Sequence, residues 1–290
     1  MFDEVISGRR RVPEGFTAHF CTLSGVRKTR HGLERMTLFR YEKTIYEKSR
    51  EGLVLQVIEK GDQRQLRFGN HIVQSAISLS SPDGLVLDYT RAMVTALLFP
   101  PRLNRFLHLG LGGGTLVRFF YQHLPTVHQR VVELNPEVIE VARRYFDLPN
   151  SVRLTVVQAE GAEFMRADTE HYDLIFLDAF DAEGADARLH SQTIYTQLRE
   201  RLAPDGWLVN NVWGSDRANL FRVRDEMVEV FAQVFSLSVR ADSNVILIGG
   251  NGTRLPTATF MRRRARLLSR RMGLDLEAQL GRVTPLRSGA

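Results

Sequence analysis

The feature that most restricts the fold of this chain is a regular alternation of apolar and amphipathic segments that begins near residue 106. The apolar segments that we predict as strands are Phe106–Leu111, Val131–Leu134, Leu154–Val157, Leu174–Leu177 and Trp207–Val212. Helical segments separate them, and successive strand–helix units imply a doubly wound parallel sheet of the α/β class. Two further strands, near residues 235–239 and 245–248, are joined too closely for a crossover helix. We therefore expect these two to pair antiparallel.

A different pattern precedes this region. Short alternating or apolar runs over residues 37–80 are broken by Gly61-Asp62 and Gly69-Asn70, which predicts β-hairpins. Ser81-Pro82-Asp83-Gly84 is a dense turn signal that marks a boundary. We predict an unassigned N-terminal segment over 1–36, a small β domain over 37–84, an α/β domain with the doubly wound sheet over 85–253 and an Arg-rich C-terminal tail over 254–290.

The basic charge of the chain is concentrated at its ends. The net charge is +6, and residues 254–290 alone hold 9 Arg against Asp275 and Glu277. This pattern favours a solvated terminal helix over a surface for nucleic acid, because aromatic residues for base stacking are absent there apart from Phe260. We expect no nucleic-acid partner.

Composition also restricts the location and the chemistry. No apolar stretch approaches the roughly 18 residues that span a bilayer, and no apolar segment follows the basic cluster near the N-terminus. These observations predict a cytoplasmic protein without a membrane partner. The single Cys21 has no cysteine to pair with and no metal-ligand cluster around it, so we expect no metal.

The chemically informative residues stand where the predicted strands end. Gly110, Gly112 and Gly114 follow the first strand, and three carboxylates follow the next strands: Glu133, Glu160 and Asp178. In a doubly wound sheet the ligand binds beyond the carboxyl ends of the strands. The sequence therefore predicts one glycine turn and three carboxylates on a single rim.

The spacing of this rim points to a nucleoside. Glu133 lies 21 residues after Gly112, where an acid accepts both hydroxyls of a ribose. A pyrophosphate cofactor such as NAD gains nothing from the further carboxylates at Glu160 and Asp178, whereas a sulfonium such as S-adenosylmethionine is positively charged. We therefore favour a sulfonium donor over NAD.

Asp178 and Asp181 supply two carboxylates three residues apart, which we interpret as a cradle for a cationic amine. Carboxylates attract an ammonium ion but raise its pKa, so one of them must also accept a proton as general base. Asp178, at the end of a strand, is better placed for this role than Asp181 in a loop.

These residues resemble the polyamine aminopropyltransferase family, which includes spermidine synthase. The resemblance covers about residues 41–250, and the matching stretches include Val73-Gln74-Ser75, the glycine turn, Val132–Pro136, Glu160–Phe164, Asp178–Asp181, Thr193–Tyr195 and Leu202–Gly206. It implies a small N-terminal β domain on a methyltransferase-like sheet, a dimer or tetramer of identical chains, and decarboxylated S-adenosylmethionine as co-substrate with a polyamine such as putrescine as acceptor.

The resemblance also implies roles for individual residues. Glu133 would bind the ribose, Glu160 and Gly161 the adenine, Asp178 would accept the proton, and Asp181 would bind the amine. The positions that would line the substrate channel are Gln74, Tyr89 and Tyr195.

The chain departs from the family pattern in the half of the site that binds the amine. Gly113 stands where the family has Asp, Glu47 where it has Gln, Thr90 where it has His, and Ala182 where it has Pro. Aminopropyl transfer is the leading hypothesis. Methyl transfer from intact S-adenosylmethionine, or nucleoside binding without catalysis, are the alternatives.

Overall fold

The computed structural model describes residues 42–50, 53–69, 72–179, 189–239, 244–252 and 255–287. Residues 1–36 and Asp181 therefore lie outside the described part. The described strands are β1 (Glu42–Arg50), β2 (Leu53–Lys60), β3 (Gln63–Phe68), β4 (Ile72–Ser78), β5 (Arg105–Leu109), β6 (His128–Glu133), β7 (Leu154–Gln158), β8 (Tyr172–Leu177), β9 (Leu202–Trp213), β10 (Gln233–Ser238), β11 (Asn244–Gly250) and β12 (Thr284–Arg287). The described α-helices are α1 (Asp88–Met93), α2 (Thr115–His123), α3 (Pro136–Tyr145), α4 (Gly161–Ala167), α5 (Gln192–Glu200), α6 (Arg217–Val230), α7 (Ala258–Met272) and α8 (Leu276–Leu280).

The first four strands form an antiparallel sheet in the order β1-β2-β3-β4. Its inward side chains include Leu55, Val57, Leu66 and Ile77, which share one core with residues of α2 and α3. Alternation of side chains along a strand leaves the other face polar. This sheet is the one that the hairpin pattern of residues 37–80 predicted.

The main sheet has eight strands in the order β12-β10-β11-β9-β8-β5-β6-β7. Strands β9, β8, β5, β6 and β7 are parallel, and β11 and β10 pair antiparallel as predicted. The chain runs outward from β5 to β7 and then returns to β8 on the other side of β5. The switch point, where such sheets bind ligands, therefore lies between β5 and β8. The doubly wound fold class is confirmed.

Both faces of this sheet are buried. Phe106 and Phe176 belong to one core, and their neighbours Leu107 and Ile175 belong to the other. Since successive side chains of a strand point to opposite faces, a strand with helices on both sides must be apolar at every position. This explains the continuous apolar runs in the sequence.

Local signals set the helix ends near the site. The Asn135 side chain accepts a hydrogen bond from the Glu137 backbone N–H at 2.9 Å, and Pro136 occupies the first turn of α3. Asn at the cap and Pro at the first helical position are a favourable start for a helix.

The Arg-rich segment after residue 254 contains α7, α8 and β12. Ala265, Leu268 and Met272 of α7 pack into the core, and β12 pairs with β10 at the edge of the main sheet. The segment thus contributes buried side chains and an edge strand. The domain boundaries stay predictions. Within the described ranges, no helix is long and apolar enough to cross a membrane.

Candidate active site

A cleft of about 1130 Å³, counted to its open mouth, lies at the switch point of the main sheet. The small sheet and α1 also contribute to its walls. Of the residues selected from the sequence, the structure brings eight together around it: Gln74, Tyr89, Gly110, Gly112, Glu133, Glu160, Gly161 and Asp178. The parallel order of the strands explains this, because their carboxyl ends share one edge.

Gly110 directly follows β5 and packs against the end of β8 at the base of the cleft. Its φ is +99°, and a Cβ at this position would lie 2.2 Å from the Asp178 carbonyl oxygen. Glycine is therefore needed both for the left-handed backbone and for the close approach of the two strand ends. Gly112 has a φ of +53°, and a Cβ at this position would lie 2.7 Å from Ser75 Oγ of the small sheet.

Gly113 lies against the small sheet as well. Its backbone N–H donates to Ser75 Oγ at 2.8 Å, and a Cβ here would lie 2.9 Å from Ser75 Cβ and 3.0 Å from Phe146 Cδ1. A side chain at residue 113 would require both neighbours to move. The acid that the family carries at this position thus has no room in the present packing.

Glu133 is half-buried in the cleft wall, and both of its oxygens accept backbone hydrogen bonds. The Leu111 N–H donates to Oε2 at 3.0 Å, and the Asn135 N–H donates to Oε1 at 2.8 Å. Burial raises the pKa of Glu133, and the backbone donors act in the opposite direction. Each carboxylate oxygen has a second lone pair, so the group is fixed in place and can still accept hydroxyl donors.

Glu160 caps α4. Its oxygens accept hydrogen bonds from the backbone N–H groups of Ala162, at 3.1 Å, and Glu163, at 2.8 Å. Gly161 follows as the first residue of the helix, where a Cβ would lie 2.9 Å from Leu189 Cδ2. Glu160 therefore has a structural task in addition to facing the cleft.

Asp178 stands at the floor of the cleft, directly after β8. Asn211 Nδ2 donates to its Oδ1 at 2.8 Å. Burial raises the pKa of Asp178 to about 6, while hydrogen bonds from Asn211 and Tyr89 lower it. A carboxylate with this pKa is ionised at neutral pH and accepts a proton more readily than an exposed Asp does, as a general base requires.

Tyr89 and Gln74 connect the floor of the cleft to the small sheet. The Tyr89 hydroxyl donates to the Gln74 backbone oxygen at 2.9 Å. Gln74 Nε2 is buried and has no acceptor among the described residues. A buried donor in this state is costly unless a ligand supplies an acceptor. Gln74 also lines the cleft.

The structure does not bring every selected residue to the cleft. Gly114 caps α2 in a left-handed conformation, with Leu148 beside it. Tyr195 is fully buried behind the sheet, where its hydroxyl accepts from Asn210 Nδ2 at 3.0 Å. Glu47 lies on β1, paired with Gln56. Asp181 and Ala182 lie outside the described residues.

Sequence reasoning missed two residues that shape the site. Asn211 contacts Asp178, and Ser75 contacts the glycine turn. A signal for the first was present, since two asparagines interrupt the otherwise apolar end of β9. Buried amides need partners, so such a pair indicates a polar neighbour on each face of the strand.

The described lining of the cleft carries only negative charge. Among its described lining residues, the ionisable acids are Glu133, Glu160 and Asp178, and none is Lys, Arg or His. Such a wall attracts cations and repels phosphates. Elsewhere among the described residues, no group of three or more His, Cys, Asp or Glu is arranged to hold a metal.

Residues 88–240 match the family model of the spermine/spermidine synthase domain. The chain is 32% identical over 228 residues to a polyamine aminopropyltransferase of Neisseria meningitidis, covering 77% of this chain and 86% of the relative. It also shares its fold with a probable spermidine synthase from Corynebacterium glutamicum (TM-score 0.64, 22% identity, 79% of this chain and 86% of that one). Human methyltransferase-like protein 13, solved in complex with SAH, has a TM-score of 0.60 at 21% identity, covering 65% of this chain and 93% of that one.

Proposed function

The chain belongs to the spermine/spermidine synthase family, and we propose that it transfers an aminopropyl group to a polyamine through the cleft at its switch point. The observation that carries the proposal is Asp178, a carboxylate at the cleft floor whose pKa burial raises to about 6. It stands beside an acidic wall that attracts both a sulfonium donor and an amine acceptor.

The donor is decarboxylated S-adenosylmethionine. The two fixed oxygens of Glu133 accept the ribose hydroxyls, and Glu160 and Gly161 border the adenine. The support for this assignment is the held position of Glu133, whose backbone partners orient it, and the absence of basic side chains from the described lining. Gln74 and Tyr89 line the same cleft, as the positions of a substrate channel would.

The reaction joins the amine nitrogen to the carbon beside the sulfonium. The nitrogen lone pair forms the new N–C bond as the C–S bond breaks, and its electron pair stays on sulfur. The donor leaves as neutral 5′-methylthioadenosine. Asp178 takes the proton that the amine must lose, and the cleft holds the two reactants in line.

The direct test uses purified protein, with decarboxylated and intact S-adenosylmethionine in separate tubes and a panel of putrescine, cadaverine, diaminopropane and spermidine. Mass spectrometry measures methylthioadenosine and S-adenosylhomocysteine. We expect methylthioadenosine only when the decarboxylated donor and an amine are both present. No methylthioadenosine with any amine would refute aminopropyl transfer to these acceptors.

One observation favours a second candidate, methyl transfer from intact S-adenosylmethionine. Gly113 carries no acid, and Ser75 and Phe146 fill the space beside it, so nothing at this position repels the carboxylate of the intact donor. S-adenosylhomocysteine formed with the intact donor in the same assay would establish this activity.

We also propose a homo-oligomer, a cytoplasmic location and amine binding by Asp181. The family resemblance supports the oligomer and the role of Asp181, and the sequence pattern described above supports the location. Light scattering of the purified protein, fractionation of cells and an Asp181→Asn variant with a raised KM for the amine would test them in turn.

A further inference from the structure

Two asparagines behind the cleft form a directed chain of hydrogen bonds that ends on Asp178. Asn244 Nδ2 donates to Asn211 Oδ1 at 2.8 Å, and Asn211 Nδ2 donates to Asp178 Oδ1 at 2.8 Å. We propose that Asn211, held by Asn244, is a positioning residue that keeps Asp178 in one orientation as a proton acceptor. This inference rests on the proposed function.

Sheet register explains how three distant residues meet. Leu177 pairs with Asn210 in the parallel strands β8 and β9, so the next residues, Asp178 and Asn211, are neighbours on the same face. Asn211 pairs with Ile246 across the antiparallel β9–β11 ladder. Asn244 is two residues before Ile246 and hence a diagonal neighbour within reach of Asn211.

With Asn244 Nδ2 donating to its oxygen, the Asn211 amide presents its NH₂ group to the cleft. If this amide turned over, its oxygen would face Asp178, and two acceptors would stand together. Asp178 would then hydrogen-bond only in its protonated form, which cannot accept a proton. On the other side, the Asn211 NH₂ group would face the NH₂ group of Asn244. In the observed orientation, each end of the Asn211 amide therefore faces a group with which it forms a hydrogen bond.

Burial separates these hydrogen bonds from solvent. Asn211 is 2% exposed, so solvent cannot replace a lost partner. The titratable groups that share the cleft with Asp178, within the described ranges, are Tyr89, Glu133 and Glu160. Burial disfavours the ionised form of Asp178 and raises its pKa, whereas contacts with Asn211 and with the Tyr89 hydroxyl lower that pKa. Asn211 therefore opposes the effect of burial.

The neighbouring residue Asn210 provides a matched control. It is fully buried on the same strand, but its side chain lies on the other face, against His190 and Tyr195. A purely structural effect of losing a buried amide would appear at both positions. A positioning effect would appear only at Asn211.

The experiment compares Asn211→Leu, Asn244→Leu and Asn210→Leu in the full chain. The readouts are the pH dependence of kcat and the titration of the Asp178 carboxyl by ¹³C NMR, assigned with Asp178→Asn. For Asn211→Leu we expect the inflection that reports Asp178, in both the kcat profile and the NMR titration, to rise by about one pH unit. The reason is that a hydrogen bond to a charged group is lost. We expect kcat to fall about tenfold or more, with the KM of the nucleoside donor within about twofold.

Asn244→Leu should also raise the Asp178 inflection, but by less than Asn211→Leu does. Asn210→Leu should lower Tm and leave the Asp178 inflection unchanged. Asn211→Asp keeps the shape but adds a like charge, so its shift should exceed that of Asn211→Leu. An unshifted inflection in Asn211→Leu and Asn211→Asp, or an equal shift in Asn210→Leu, would overturn the inference. If the wild-type protein transfers no aminopropyl group, the proposed function fails, and the NMR titration still decides the role of Asn211.

Discussion

Asp178→Asn should make the protein more stable at neutral pH while it abolishes turnover. Burial raises the pKa of Asp178 from 3.8 to about 6, so the folded state holds this carboxylate at a cost that the unfolded chain does not have. At about 1.4 kcal/mol per tenfold change in proton affinity, the cost is about 3 kcal/mol above pH 6. The amide removes the charge and keeps an oxygen to accept the Asn211 donor.

The sign of the pH dependence follows from linkage. Between pH 4 and pH 6 the unfolded state loses the Asp178 proton and the folded state retains it, so the contribution of Asp178 to stability falls as pH rises through this window. The stability difference between Asp178→Asn and the wild type should therefore be small near pH 4. It should grow to about 3 kcal/mol by pH 7.

Urea denaturation followed by circular dichroism at pH 4.5, 6 and 7.5 measures this difference. Asp205→Asn is the control, since Asp205 is an exposed carboxylate near the opposite end of β9, and we expect no comparable gain. Methylthioadenosine binding, measured by calorimetry, should survive in Asp178→Asn. A variant that is equally or less stable than the wild type at pH 7.5 would refute the argument that burial of Asp178 is costly.

The remaining predictions concern the nucleoside half of the cleft, the strand ends and pH. Glu133→Gln should weaken methylthioadenosine binding about tenfold or more in calorimetry, because an amide NH₂ would face a backbone N–H that now donates to a carboxylate oxygen; unchanged affinity would exclude Glu133 from the nucleoside site. Gly110→Ala should lower Tm by several degrees and abolish turnover, because its Cβ would lie 2.2 Å from a backbone oxygen. Gly61→Ala, at a φ of +59° and with open space around it, should cost only about 1 kcal/mol; equal losses at both positions would show that close packing at Gly110 does not matter. Turnover at saturating substrates should fall about tenfold from pH 7 to pH 5 as Asp178 takes up a proton, and a flat profile would remove Asp178 from the role of base.

The order and type of the main elements could be predicted because their signals are local. Apolar runs such as Leu174–Leu177 lie between helices, as strands of a sheet buried on both faces must. Cap residues such as Asn135 define helix starts within a few residues. The rim followed from one rule, that parallel strands end at a common edge, so Glu133 and Asp178 could be placed together without coordinates.

Other features depend on residues that are distant in sequence. Asn211 meets Asp178 across 33 positions, because β9 lies beside β8 in the sheet order. Tyr195 matches a channel position in the family pattern, yet it is fully buried behind the sheet, because its helix packs that face inward. Helical periodicity predicts which face of a helix is buried, but it does not predict which element that face packs against.

The doubly wound sheet, the small sheet before it and the carboxylate rim could thus be predicted, since strand period, glycine turns and caps act over a few residues. The chemistry of the rim depends instead on tertiary packing. The pKa of Asp178 depends on how completely its neighbours exclude water, and its orientation depends on an amide from another strand. Desolvation and hydrogen-bond direction are properties of packed surroundings, and no local pattern of residues encodes them.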